Sequence, residues 1–333
     1  MQNLTQSFNY HYNVKVNLNY QFCYPKFGQN ISFTFTGIFK KNLMRILLLL
    51  IIGCFLNSPA FGNEDNGMSY ESIQWSVYSE IPFPDGDILQ PGLAGTFAGL
   101  INNRIVIAGG ANYPDMLPRE GGKIKYYADV YFLSTDDPKD WTVLPKALPN
   151  NIAFGVSITL PDGLLIIGGS NEEGCQSNVM LLTIQGVNNE IKIIQWPSLP
   201  VALTNMTGTM VGNNIYIAGG QEGITNSRST SHFFVIDSKN KNAGWKKLQS
   251  WPGSPRSFAV SASQNNGFDN CFYLFSGINC NPDSPVEFLY DGYEYNTRLN
   301  TWEKIDALPS PQFPVMGGTA FSSGASHILF VGG

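Results

Sequence analysis

Histidine and cysteine are scarce in this chain, with three of the one and five of the other among 333 residues. No two cysteines form a C-x-x-C pair, and only His232 and His327 fall in the region that reads as the mature domain. That is too little to build a zinc site, so no metal is expected. Charge is also sparse, at 14% of residues, and it has the wrong sign for a nucleic-acid partner. Residues 1–62 hold five basic residues (Lys15, Lys26, Lys40, Lys41 and Arg45) and no acid, which leaves 15 basic against 25 acidic residues in the remainder. A surface that acidic argues against nucleic acid and against an anionic membrane face. Long hydrophobic runs are missing too. The apolar run from Ile46 to Leu56 is too short to span a bilayer.

That run has a different use. "KKNLMRILLLLIIGCFLNSPAFG" (40–62) places basic residues before an apolar stretch and ends on Ala60-Phe61-Gly62. It reads as a secretory signal over 44–62, so the mature protein is expected in the periplasm or outside the cell. A second reading takes "IIGC" as a lipoprotein box with a lipid anchor at Cys54. Residues 1–43, rich in Asn, Tyr and Phe without a sustained period, read as an extension without function, with the true start at Met44. Processing leaves Cys175, Cys271 and Cys280. Cys271 and Cys280 could pair in an oxidising envelope, but the odd count makes unpaired thiols equally expected.

What is abundant is glycine, 34 residues, and aromatics, 13%. With so little charge, these indicate an all-β, turn-rich protein. Strand-like runs ending in glycine recur at "RIVIAGG" (104–110), "LLIIGGS" (164–170), "IYIAGGQ" (215–221), "FYLFSGI" (272–278) and "ILFVGG" (328–333). Their second glycines are 59, 51, 57 and 56 residues apart. Each run follows another β-like segment across a tight Asn/Gly turn, the chemistry of a hairpin. A second signature alternates with the first: "WTVLPKALP" (141–149), "WPSLP" (196–200), "WKKLQSWP" (245–252) and "WEKIDALP" (302–309). The repeat is therefore four strands, here called a to d, with Gly-Gly closing b and Trp in d. This unit resembles the kelch blade of a β-propeller over residues 70–333. In that fold, Gly-Gly would relieve crowding near the axis.

"SIQWSVYSEIP" (72–82) reads as a lone d strand that completes the last blade and so removes an open edge. Since Gly333 ends strand b of the fifth unit, the sequence implies a six-bladed ring truncated here to about five blades, with roughly 80 residues to follow at this spacing.

Strands alternate in direction, so the b–c and d–a connections share one end of the propeller. Arg119 in "ANYPDMLPREGGKIKY" (111–126), Glu222 and Arg228 in "QEGITNSRSTS" (221–231), and Arg256 in "GSPRSF" (253–258) are expected on that rim. Three arginines there suggest a small anionic ligand held by bidentate guanidinium contacts. Asn112 sits at the base of the longest loop. Each residue also has a structural reading: Arg256 bonding loop carbonyls, Glu222 and Arg228 forming a solvated ion pair, and Asn112 shaping its loop.

The stretches "GTFAGLINNRIVIAGGANYP" (95–114), "YADVYFL" (127–133), "AFGVSITLPDGLLIIGGSNEEG" (153–174) and "WPGSPRSFAVSA" (251–262) resemble the kelch-type N-acetylneuraminate epimerases, or sialic acid mutarotases, in particular their cyclically permuted relatives. The resemblance implies a secreted isomerase that opens and closes the sugar hemiketal by general acid/base catalysis, with no cofactor. It implies substrate contacts from Arg119, Arg256 and Asn112. The family's acid/base carrier is a Glu followed six residues later by an Arg, a spacing that Glu222 and Arg228 reproduce. Blade phase assigns the family's own carrier to a blade following Gly333, which makes Glu222 and Arg228 a lookalike. The alternative function is a non-catalytic envelope propeller that binds a sugar or a protein. A copper radical oxidase would need clustered His, Tyr and Cys ligands that two scattered histidines do not supply. Oligomeric state has no signature in the sequence.

Overall fold

The computed structural model describes residues 76–82, 92–138, 140–186, 190–225, 227–308 and 314–332. The chain divides into two units, Met1–Glu80 and Ile81–Gly333. The expected signal segment 44–62 and the extension 1–43 lie outside the described residues. So does most of the first unit, of which residues 76–80 carry no regular structure. The expected lone strand at 72–82 is likewise not seen in its described part, since residues 76–82 form no strand. An extended segment becomes a strand only where a partner ladder pairs with it.

The second unit is built from antiparallel sheets. Four have four strands each among the described residues. Blade 1 comprises Phe97–Ile101, Arg104–Ala108, Val130–Ser134 and Thr142–Leu144. Blade 2 comprises Val156–Leu160, Gly163–Asn171, Gly174–Gln185 and Glu190–Trp196. Blade 3 comprises Thr207–Val211, Asn214–Ala218, Phe233–Asp237 and Lys246–Lys247. Blade 4 comprises Val260–Asn265, Asn270–Phe275, Gly292–Asn296 and Thr301–Ile305. A fifth sheet pairs Thr319–Ser323 with His327–Val331. In every four-stranded sheet, sequence order is spatial order. Successive a strands lie side by side from blade 1 to the fifth sheet, which makes them the innermost strands. This is an all-β, kelch-type β-propeller, with strands a to d where the repeat puts them.

The strand sequences follow from burial on both faces. In b of blade 2, Leu164 and Ile166 join the cluster with Phe97, Val106 and Phe132 of blade 1. The alternate residues, Leu165 and Ile167, join Ile215, Ile217 and Phe234 of blade 3. Because a strand's side chains alternate faces, a strand between two neighbours must be apolar at every position. Each fully buried Leu or Ile contributes about 1.5–3 kcal/mol. Between blades 3 and 4 the filling is aromatic: Phe233, Phe272, Tyr293, Tyr295 and the d-strand Trp302. The tryptophans also stitch blades together. Trp245 donates from Nε1 to Pro197 O at 2.8 Å, and Trp302 to Gln249 O at 2.9 Å, each acceptor following strand d of the preceding blade.

The double glycines have a more specific task than relieving crowding at the axis. The second glycine donates its N–H to the d–a segment leading into the next blade: Gly110 to Ile152 O, Gly169 to Leu203 O and Gly220 to Arg256 O, at 2.8–2.9 Å. Gly219, at φ 69°, shows why no side chain is admitted. A Cβ there would stand 2.3 Å from Arg256 O.

Candidate functional site

Five residues mark the end of the channel from which the a strands start. Gly95, Phe154, Asn205, Phe258 and Gly317 each precede an a strand, and each has positive φ, between 54° and 63°. Three are not glycine, and a bulky residue in this region is strained by about 1–2 kcal/mol. A chain of backbone bonds holds them there. Phe154 N donates to Gly95 O, Asn205 N to Phe154 O, Phe258 N to Asn205 O and Gly317 N to Phe258 O, at 2.8–2.9 Å. The sequence gives little notice of this arc, because its residue types differ from blade to blade. Asn205 continues it sideways, donating from Nδ2 to Gln221 Oε1 at 2.9 Å. The Phe154 ring lies across Gly95, where a Cβ would be 2.4 Å from it.

Beneath this mouth is a cavity of about 290 Å³ between the inner strands of blades 2, 3 and 4 and the fifth sheet. Ser157, Thr159, Thr207, Thr209, Ser261 and Thr319 bring hydroxyls to it, and its lining includes no ionisable side chain.

Around the mouth lie the b–c loops. The residue after each second glycine pairs with the segment leading into its own blade: Ala111 with Ala94, Ser170 with Ala153, Gln221 with Thr204 and Ile278 with Ser257. One residue further on stand Asn112, Asn171, Glu222 and Asn279. In all four blades this side chain anchors its own loop. Asn112 donates to Gly92 O at 3.1 Å and accepts from Tyr127 Oη at 2.8 Å. Asn171 accepts from Gln176 Nε2 at 3.0 Å, and Asn279 donates to Glu287 at 2.9 Å. Glu222 is the acidic member of the set, 2.8 Å from His232 Nε2. A carboxylate can only accept, so the imidazole donates.

The structure thus separates the residues expected on the rim. Glu222 and Arg228 do not pair with each other, because Arg228 bridges to Asp283 on the next blade's b–c hairpin. Asn112 is buried at the base of its loop, as its structural reading has it. Arg119 lies in a short 3₁₀ turn, Pro118–Glu120, with its side chain 78% exposed and Glu120 3.6 Å away. Arg256 departs from the expectation of a rim contact. It is fully buried, donating to Ser276 O at 3.0 Å and to both Asp291 oxygens at 3.0 and 3.2 Å. The Trp251 and Tyr293 rings flank it, 5.4 and 5.2 Å away. Burial lowers its pKa from the usual guanidinium value, and the Asp291 charge opposes that shift. Its Nε–H has no partner among the described residues, so the buried guanidinium keeps one donor beyond its contacts with Ser276 and Asp291.

Two features of the rim escaped sequence reasoning. His232 carried no signal beyond its rarity, and Cys175 none. The Cys175 thiol, 3.7 Å from Gln221 O, has its pKa raised by burial and then by the nearby Glu222 charge. Cys175, Cys271 and Cys280 are all free thiols. No group of three or more His, Cys, Asp or Glu able to hold a metal occurs among the described residues.

The family profile of N-acetylneuraminate epimerase matches residues 62–191 and 196–333, most of the chain. The chain belongs to that family. The N-acetylneuraminate epimerase of Haemophilus influenzae (strain PittEE) is 33% identical over 132 residues, which are 40% of this chain and 31% of that protein. The N-acetylneuraminate epimerase of Vibrio cholerae serotype O1 (strain ATCC 39315) is 32% identical over 141 residues, 42% of this chain and 33% of that one. A Kelch domain-containing protein of the same strain is 31% identical over 139 residues, 41% of this chain and 35% of its own length. The matched segments thus span about a third of these relatives. The solved structure of YjhT superposes with a TM-score of 0.61 at 13% identity, covering 80% of this chain and 82% of that one. At that identity the likeness concerns the fold alone.

Proposed function

We propose that this N-acetylneuraminate epimerase family member interconverts the anomers of N-acetylneuraminate without a cofactor, as a secreted or periplasmic enzyme. The observation that carries the reading is the family match across most of the chain. Chemically, the anomeric hydroxyl must lose a proton while the ring oxygen gains one, and the reverse on closure. A polar rim with a solvent-facing guanidinium suits a sugar acid. Arg119 is the group proposed to hold its carboxylate, since Arg256 is buried against Asp291 and Arg228 is bridged to Asp283. Glu222 is proposed to serve as the anchor of its loop and not as the acid/base carrier. It occupies the position where the other blades use asparagine for that purpose.

The test is proton NMR of freshly released α-N-acetylneuraminate, with and without the protein, at a pH where spontaneous mutarotation is slow. Acceleration at catalytic protein levels is the expected result. A folded protein that binds the sugar without accelerating equilibration would overturn the enzymatic reading in favour of a binding propeller.

A further inference from the structure

The channel cavity is polar but uncharged, and that combination is selective. A shaft that needed only to be filled would carry aliphatic side chains, and one that attracted ions would carry charges. Six hydroxyl side chains line this one beside Ile158, Met210, Val260 and Ala320, on strands from four successive sheets. Some also tie inner strands together. Ser157 Oγ donates to Ala98 O at 3.1 Å and accepts from Ala98 N at 3.3 Å. Thr159 Oγ1 accepts from Leu100 N at 3.3 Å, and the Thr207 and Ser261 hydroxyls lie 2.8 Å apart. A hydroxyl has one donor and two acceptor sites, so each retains capacity towards the cavity. Thr209 and Thr319 lie on the inner strands of blade 3 and the fifth sheet and make no side-chain hydrogen bond among the described residues.

The cavity belongs to the functional end. Its lining residues begin at or next to the starts of the a strands (Ser157, Thr207, Val260 and Gly318), one to three residues after the residues of the mouth. Above it, Phe154 and Phe258 flank Asn205 in the hydrogen-bonded arc, and all three are half-buried. Half-exposed aromatic faces and an amide beside a hydroxyl-lined shaft are suited to C–H faces and hydroxyl groups. Three strained backbones in succession are held where such contacts would be made.

We propose that this cavity seats the uncharged, polyhydroxylated arm of the sugar acid, with Thr209 and Thr319 as specificity-determining residues. The proposal rests on the functional reading above and deepens it. The carboxylate is held at the rim by side chains, while the neutral arm enters the channel and exchanges hydrogen bonds with threonine hydroxyls. A ligand hydroxyl left without its partner in such a site loses about tenfold in affinity per bond.

The experiment compares calorimetric affinities of the full-length protein for N-acetylneuraminate and for the same sugar acid with its terminal glyceryl arm shortened by periodate cleavage. The unaltered protein is expected to prefer the complete arm by about tenfold or more. Thr209→Val and Thr319→Val keep the β-branched shape but lose the hydroxyl, and should bring that ratio close to one without weakening the shortened sugar. Thr209→Ser, which keeps the hydroxyl, should restore the preference and show that the site remains folded. Equal binding of the two sugars by the unaltered protein, or an unchanged ratio in both valine variants, would overturn the cavity assignment alone. Failure of the unaltered protein to bind either sugar would overturn the substrate reading and this proposal with it.

Discussion

His232 donates from Nε2 to Glu222 Oε1 at 2.8 Å, closing one blade's b–c loop from both ends. Arg228, between them in sequence, points instead to Asp283. Two residues at the spacing of an acid/base pair are thus engaged with different partners.

Glu222→Gln should therefore change anomer equilibration by no more than about threefold, because the amide oxygen still accepts from His232. Loss of a true general acid or base costs about a hundredfold or more. The NMR assay separates these outcomes, and a hundredfold fall would restore Glu222 to the chemistry.

Arg256→Met should destabilise the protein by about 3–5 kcal/mol, because Asp291 keeps its charge while losing its partner. Arg256→Lys should recover little, since one ammonium cannot reproduce the contacts to Ser276 O and both Asp291 oxygens. Urea unfolding midpoints measure both. Equal stability of the lysine variant and the parent would contradict the fork geometry.

Gly219→Ala and Gly212→Ala form a controlled pair. Both glycines have positive φ, 69° and 62°. Only Gly219 would press a Cβ against a carbonyl, while Gly212 has nothing within 4 Å. The Gly212 change should cost about 1 kcal/mol of backbone strain, and the Gly219 change about 2–3 kcal/mol more through steric contact. Thermal melts of the two should differ in that order.

Tyr216 and Tyr293 should titrate late. Burial pushes both phenols up to about 12, helped by neighbouring Tyr295 at Tyr216 and by the hydrogen bond to Asp291 at Tyr293. The folded state therefore holds these protons where the unfolded chain, titrating near about 10, releases them. Their contribution to stability is complete below about pH 10 and is lost as pH rises towards about 12. Tyrosinate absorbance of the native protein should lag that of the denatured protein across this interval, and coincident curves would disprove the burial.

The blades were legible because their signals are local. Gly109-Gly110 and Gly219-Gly220 end strands, Trp245 and Trp302 mark strand d, and period-two burial explains why Leu164 to Ile167 are all apolar. The rim was legible only as a list of loop residues. Arg256 finds Asp291, 35 residues later, through the strand order of blade 4, and no spacing rule anticipates that pairing. The channel hydroxyls were hidden for a related reason. "SIT" at 157–159 and "TGT" at 207–209 look like ordinary strand sequence until five sheets are arranged around one axis.

The peptide links joining Gly95, Phe154, Asn205, Phe258 and Gly317 all run in the same rotational sense, each N–H reaching back to the preceding carbonyl. Dipoles laid head to tail around an axis circulate, and none of their polarity adds up along it. A helix end concentrates backbone charge at a pole, but this arc has no pole to offer. The arc itself therefore adds no helix-like pole of backbone charge to the mouth. An anionic ligand arriving here takes its orientation from loop side chains such as Arg119, and changing those loops could redirect the charge preference while the arc and shaft stay as they are.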